Sequence, residues 1–245
     1  MSRQPRVLVI RAAGTNCDRE TAWAFSLAGA SPETLHVNQC LEKPALLDSF
    51  DALAIPGGFS YGDDIASGKI FANQLRLKLL DPIGRLVARG GLVIGICNGF
   101  QVLVKSGLLG ERKVTLTHND HGAYRDEWVR MKVDGTRCVF LKGLGDMDLP
   151  IAHAEGRFMA LTPSVFSELE KAGRLCLRYE GRNPNGSEGS VAGICDETGR
   201  IFGLMPHPER FLRFENHPSW TRLPKKDHGD GLALFTNAVE HLRDL

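Results

Sequence analysis

Cys97 lies in the run Gly95-Ile96-Cys97-Asn98-Gly99, between the aliphatic stretch Leu92 to Ile96 and a helical pattern from Phe100 to Lys105. This is a G-x-nucleophile-x-G elbow with cysteine in the place of serine. A nucleophile on so sharp a strand-to-helix turn sits in a strained backbone, and flanking glycines remove the Cβ atoms that would clash with neighbouring chain. The turn lifts the sulfur over the carboxyl end of a sheet, and the helix N-terminus beneath it favours the thiolate, the reactive form. For the bare pattern, a buried cysteine with packing glycines is an equal reading; the strand before it and the helix after it favour catalysis.

A catalytic cysteine needs a base. His207, in Met205-Pro206-His207-Pro208-Glu209, follows the strand-like run Ile201 to Met205, and two prolines stiffen its loop. Glu209 is placed to accept a hydrogen bond from the imidazole and fix its tautomer, which completes a nucleophile–base–orienter triad. A tetrahedral intermediate also needs donors for its oxyanion. The backbone N–H of Asn98 is one candidate. Gly58, in the Gly57-Gly58 pair after the run Ala52 to Pro56, is the other. Without the elbow, that pair reads equally well as an ordinary strand-end turn.

These groups require a scaffold that brings distant strand ends together. Strand patterns at Arg6 to Arg11, Glu33 to Val37, Ala52 to Pro56 and Leu92 to Ile96 alternate with helical patterns. The helical ones run from Asn16 or Asp18 to Leu27, Pro44 to Ser49, Lys69 to Leu80, and Asp81-Pro82 to Gly90-Gly91. The alternation predicts an α/β fold with an open, mostly parallel sheet flanked by helices. The C-terminal half adds β-strands at Val114 to Thr117, Trp128 to Val133, Arg174 to Tyr179, Val191 to Cys195 and Ile201 to Met205. It also has a helix capped by Thr162 and ended by Gly173, and a last one from Gly231 to Leu242. The polar stretch Glu215 to Asp230 reads as a surface loop. No repeat or linker divides residues 1–245, so one domain is expected.

Composition narrows the function. The chain has 245 residues, 42% of them hydrophobic, enough for a core without disulfides or metal. With 30 basic and 29 acidic residues there is no electrostatic case for nucleic acid or an anionic membrane. Met1 to Leu8 has no apolar run of a secretory signal, and the apolar stretches are only strand-length. Six scattered cysteines without a CxxC pair read as reduced thiols of a cytoplasmic protein, with Cys17, Cys40, Cys138, Cys176 and Cys195 expected to be structural.

Together the strand-end PGG, the G-x-C-x-G-x-Q segment and the late HPE resemble the class I (triad) glutamine amidotransferases. Further runs strengthen the likeness: Gly14-Thr15-Asn16-Cys17-Asp18, Pro56 to Asp63, Gly68-Lys69-Ile70-Phe71-Ala72-Asn73, Gly95 to Gln101 and His207 to Arg210. The resemblance implies that Cys97 attacks the glutamine amide to form a γ-glutamyl thioester, with His207 as the proton carrier and Glu209 orienting it. It implies an oxyanion hole at Gly58 and Asn98, and a substrate-holding role for Gln101. The ammonia would go to a separate large synthetase subunit that makes the amidine of formylglycinamide ribonucleotide in purine synthesis, with a small third subunit bridging the two. ATP and Mg are expected on that synthetase and no cofactor in this chain. One stretch departs from the family: where an Asn-x-Ser-Gly-Arg-Phe-like run is usual, the chain has Asn119-Asp120-His121-Gly122-Ala123-Tyr124, with His121 and Ala123 in place of serine and arginine.

Other readings are weaker. Gly62 to Lys69 fails as a phosphate loop because five residues separate its glycines and Ile70 follows the lysine. His118 and His121 have no partners at metal-site spacing. A cysteine peptidase, a glutaminase serving another synthetase, and a non-catalytic regulatory subunit on the same fold are the rival functions.

Overall fold

Short runs of aliphatic and β-branched residues, buried on both faces, build the centre of the sheet. They are β1 (Arg6–Arg11), β3 (Ala52–Ile55), β4 (Leu92–Ile96) and β11 (Ile201–Leu204). All pair in parallel, as continuous apolar strands covered on both sides do. The computed structural model describes residues 3–134 and 137–245; Met1 and Ser2, the start of the segment read as lacking an export signal, lie outside it.

The main sheet has nine strands in the order β2-β1-β3-β4-β11-β10-β9-β6-β7. At one edge β2 (Ser31–His36) adds in parallel and tolerates Pro32 because it is an edge strand. Beyond β11 the sheet turns antiparallel through β10 (Val191–Cys195), β9 (Leu177–Tyr179), β6 (Arg125–Val133) and β7 (Met147–His153). A separate hairpin-like pair joins β5 (Val114–Thr117) to β8 (Arg157–Ala160).

The chain winds from β1 outward to β2, then back across β1 to β3 and β4. Right-handed crossovers therefore place α1 (Asp18–Leu27) on one face and α3 (Lys69–Lys78) and α4 (Leu80–Ala88) on the other. The packing agrees. α1 meets α7 (Leu232–Arg243) through Phe25 and Phe235, whose rings stack edge to face 5.0 Å apart, while α3 packs on α4 and on α5 (Asn98–Ser106). This reversal opens a crevice at the carboxyl ends of β1 and β3, where open α/β sheets bind ligands. Buried apolar residues from Val7 to Leu242 form one contiguous cluster.

Several elements differ from the sequence expectation. β7 and β8 were absent from it, as was the one-and-a-half-turn α2 (Val37–Glu42), which takes Val37 from the expected strand. Pro150 hides β7: it interrupts a β pattern, yet β7 is the sheet's other edge, and its buried residues Met147, Leu149, Ile151 and His153 keep period two. Pro44–Ser49 is a 3-10 helix. The strand expected from Arg174 begins only at Leu177, because Arg174 is pinned by its backbone N–H to Leu169 O at the end of α6 (Pro163–Lys171). The segment 215–230 is largely exposed, though His217 folds back onto the Trp128 ring.

Candidate active site

The loops that follow β1, β3, β4 and β11 converge at the carboxyl edge of the sheet. Cys97 sits between β4 and α5 with φ 52° and ψ −105°, a conformation costly for a side chain with a Cβ. Its surroundings hold it there. The Cys97 N–H donates to Leu204 O at 2.7 Å, and Cys97 O accepts from Gln101 N at 3.1 Å to begin the helix. The glycines of the elbow have no room for a side chain: a Cβ on Gly95 would lie 2.5 Å from Gly99 O, and one on Gly99 would lie 1.9 Å from Ile55 O. The elbow is therefore pressed onto β3.

His207 arrives from β11. Its backbone N–H donates to Pro150 O at 2.8 Å, and its Nδ1 lies 2.6 Å from Glu209 Oε1, with both side chains buried. The ring also borders the elbow, since a Cβ on Gly57 would sit 2.8 Å from His207 Cε1 and 3.4 Å from Cys97 Cβ. The Cys97 Sγ–H points to Ala152 O at 3.7 Å. β7, unseen in the sequence, thus supplies backbone contacts to both the nucleophile candidate and the base candidate.

Electrostatics fits that geometry. Burial opposes a charged imidazole, but the Glu209 carboxylate and Cys97 outweigh it and hold His207 well above its ordinary 6.5. His207 Nε2 and Glu209 Oε2 are buried without a hydrogen-bond partner. Buried polar atoms are seldom left so, and here the free ring nitrogen is the one Glu209 leaves available for proton transfer. His153, at the end of β7, behaves oppositely: burial first, then the charge of His207, brings it down to about 4, so it is neutral.

Gly58 has φ 141° and packs on the loop after β1, where a Cβ would meet Asn16 N and Gly14 O at 2.7 Å. Asn16 N donates to Gly57 O at 3.3 Å and Phe59 N to Gly14 O at 2.9 Å; these bonds flank the Gly58 N–H without using it. The Asn98 side chain ties the same loop down. Its Oδ1 accepts from Ser60 N at 3.3 Å, and its Nδ2 donates to Asp63 Oδ1 at 3.1 Å and to Gln101 Oε1 at 2.9 Å. Asp63 also accepts from Gly68 N and Ser67 Oγ, which explains the Tyr61-Gly62-Asp63 and Gly68-Lys69 runs. Gln101 is buried, and its amide is engaged on both ends, with Asn98 and with Glu155 O.

The structure adds residues that the sequence reading left as structural or unremarked. Cys17 is fully buried beside the site. Its sulfur lies 4.0 Å from His207 Nδ1 and accepts from Arg210 Nη2 at 3.1 Å. The signal was the Gly14-to-Asp18 run, whose position beside the Gly57-Gly58 loop only pairing of β1 with β3 reveals. Tyr124, half-exposed, stands near enough to Cys97 that burial and then the Cys97 charge raise it. In the divergent stretch, Asn119 fixes the loop through Ala123 O and His153 O, and His121 Nδ1 accepts from Ala123 N at 3.2 Å. The loop is closed by its own bonds, so the exchange of serine for His121 does not unmake it. His118 is exposed, 4.0 Å from Glu155. Two clusters among the described residues have metal-ligand atoms within 4.8 Å: Cys17 with His207 and Glu209, and Cys138 with Cys176 and Cys195. The first belongs to the site just described.

Comparison with known proteins gives the same direction. The sequence pattern of the CobB/CobQ-like glutamine amidotransferase domain matches residues 4–242. Phosphoribosylformylglycinamidine synthase subunit PurQ of Dehalococcoides mccartyi is 46% identical, with 98% of each chain covered. Its namesake in Methanococcus maripaludis is 40% identical, with 97% of each covered. Among solved structures, a chain of PurLQS from Thermotoga maritima superposes with a TM-score of 0.79 at 30% identity, covering 98% of this chain and 100% of that one. No helix among the described residues is long and apolar enough to cross a membrane. A full-length family match and relatives of this identity leave one assignment: the chain belongs to the CobB/CobQ-like glutamine amidotransferase family.

Proposed function

We propose that the chain is the glutaminase subunit of a phosphoribosylformylglycinamidine synthase, releasing ammonia from glutamine for a partner synthetase. The observation that carries the reading is the meeting of a strained strand-end cysteine with a buried His207–Glu209 pair. The relatives named above support the choice of synthetase.

In this reading the raised His207 already holds the Cys97 proton, and the resulting thiolate attacks the side-chain carbonyl of glutamine. The N–H groups of Gly58 and Asn98 receive the oxyanion. Collapse of the intermediate, with the proton on His207 passed to the leaving nitrogen, expels ammonia and leaves the γ-glutamyl thioester. A water, deprotonated by His207, then attacks the thioester, releasing glutamate and restoring the thiolate beside the His207 imidazolium. Glu209 keeps the imidazole in one tautomer and stabilises its cation. Gln101 acts through Asn98 and the backbone of Glu155, shaping the floor on which substrate rests. No cofactor takes part in this half-reaction. ATP and Mg serve the large synthetase, a small subunit bridges the two, and the assembly works in the cytoplasm.

The test uses the chain together with its synthetase partners. Cys97→Ala should abolish amidation of formylglycinamide ribonucleotide from glutamine, while added ammonium still supports it. Glutamine-dependent synthesis that survives Cys97→Ala would remove the cysteine from the mechanism. Loss of both activities would instead mean a broken complex, which size-exclusion chromatography of the assembly separates from a chemical defect.

A further inference from the structure

Three buried cysteines that the proposed reaction does not use lie together elsewhere in the fold. Cys138 precedes the 3-10 turn Val139–Leu141, Cys176 leads into β9, and Cys195 ends β10. All three are fully buried free thiols, and their sulfurs lie within 4.8 Å of one another. A lone buried cysteine is an ordinary small core residue. Packing alone does not require three sulfurs from three separate segments to face one point.

The segments that carry them are braced. Asp134 N donates to Cys176 O at 2.9 Å, Cys195 N to Arg174 O at 3.0 Å, and Val139 N to Gly199 O at 3.0 Å. From outside, the Arg137 guanidinium donates to Ala172 O at 2.7 Å and to Glu197 O at 2.5 Å. The ligand set is thus preorganised.

We propose that Cys138, Cys176 and Cys195 form a three-sulfur site for a thiophilic d10 cation, with Cu(I) as the ion that fits. Among the described residues no carboxylate or imidazole joins the three sulfurs, which disfavours hard cations and leaves Zn²⁺ short of its usual fourth protein ligand. Cu(I) is soft and accepts thiolate ligands. Each thiol that ligates gives its proton to solvent, and no electron changes hands because copper enters and stays as Cu(I). The bound ion would clamp β9, β10 and the 3-10 turn that follows Cys138. The inference is independent of the glutaminase reaction.

The test is an anaerobic Cu(I) competition against bicinchoninate, using the full chain carrying Cys97→Ala so that the elbow sulfur cannot compete. One copper per chain should be retained, with X-ray absorption showing sulfur alone in the first shell and thermal unfolding moved upward. Adding Cys176→Ser should lower the affinity about 100-fold or more, whereas adding Cys17→Ala should not. Should Cys176→Ser fail to fold, the parent's absorption spectrum still decides, because nitrogen or oxygen among the ligands overturns the site. So does failure to hold copper against the competitor, copper lost with Cys17→Ala, or Zn²⁺ bound in preference with a fourth, oxygen ligand.

Discussion

At the scale of single residues, the site depends on the Nδ1 contact between His207 and Glu209. The carboxylate raises the imidazole and engages its Nδ1, leaving Nε2 buried without a hydrogen-bond partner. Glu209→Gln keeps the shape but loses the charge. It should cut kcat/KM for glutamine by ~10²–10⁴, by analogy with the loss of an orienting carboxylate in other triads. The basic limb of the pH profile should move to lower pH, because the imidazolium loses its main support. Glutamine hydrolysis followed from pH 6 to 9 in the assembled enzyme checks both, and an unshifted profile would count against Glu209 as the orienter. Cys97→Ala is the matching change at the nucleophile, with a loss of about 10³-fold or more in glutamine use and preserved use of ammonium.

At the scale of elements, the site is only as precise as the contact between α5 and β3. Gly99 meets Ile55 so closely that an added Cβ would lie 1.9 Å from a backbone carbonyl, which cannot yield as a flexible side chain would. Gly99→Ala should therefore destabilise the protein by about 3 kcal/mol, at the upper end for overpacking. Urea unfolding measures that loss. Activity should fall further than the unfolded fraction explains, because moving α5 also moves Asn98. A matched Gly122→Ala, at a loop position with open space around it, should cost less, although its φ of 68° carries some strain. β7 has a comparable role from the other side, since Ala152 O and Pro150 O contact Cys97 and His207.

For the molecule as a whole, two histidines set opposing slopes of stability against pH. His207 is raised in the folded state, so its contribution is complete below the ordinary 6.5 and is lost as pH climbs through the folded value. His153 is depressed from 6.5 to about 4, so its contribution is complete above 6.5 and is lost as pH falls through that interval. At about 1.4 kcal/mol per pH unit, the latter loss approaches ~3 kcal/mol by pH 4. His153→Asn, whose amide nitrogen stands in the place of Nδ1 and can still donate to Asn119, should flatten the decline between pH 6.5 and 4 in urea unfolding. A decline as steep as in the wild type would show that other groups govern acid unfolding.

Much of this was legible without coordinates, for a reason that is local. A strand, a tight elbow and a helix are written in contiguous residues, so Cys97, His207 and Glu209 declare themselves through short spacings at strand ends, and β1, β4, β5 and β10 begin and end as the residues predict. What stayed hidden depends on partners far apart in the chain. β7 was obscured because Pro150 breaks the local pattern while the edge of the sheet forgives it. Cys17 was passed over because its place beside His207 follows from two loops, 190 residues apart in sequence, ending at one sheet edge. Residue order alone determined which groups could do chemistry and which strand ends would carry them. Only the tertiary structure decided that they meet, since the register and order of the strands are set by burial summed over the whole sheet rather than by any one segment.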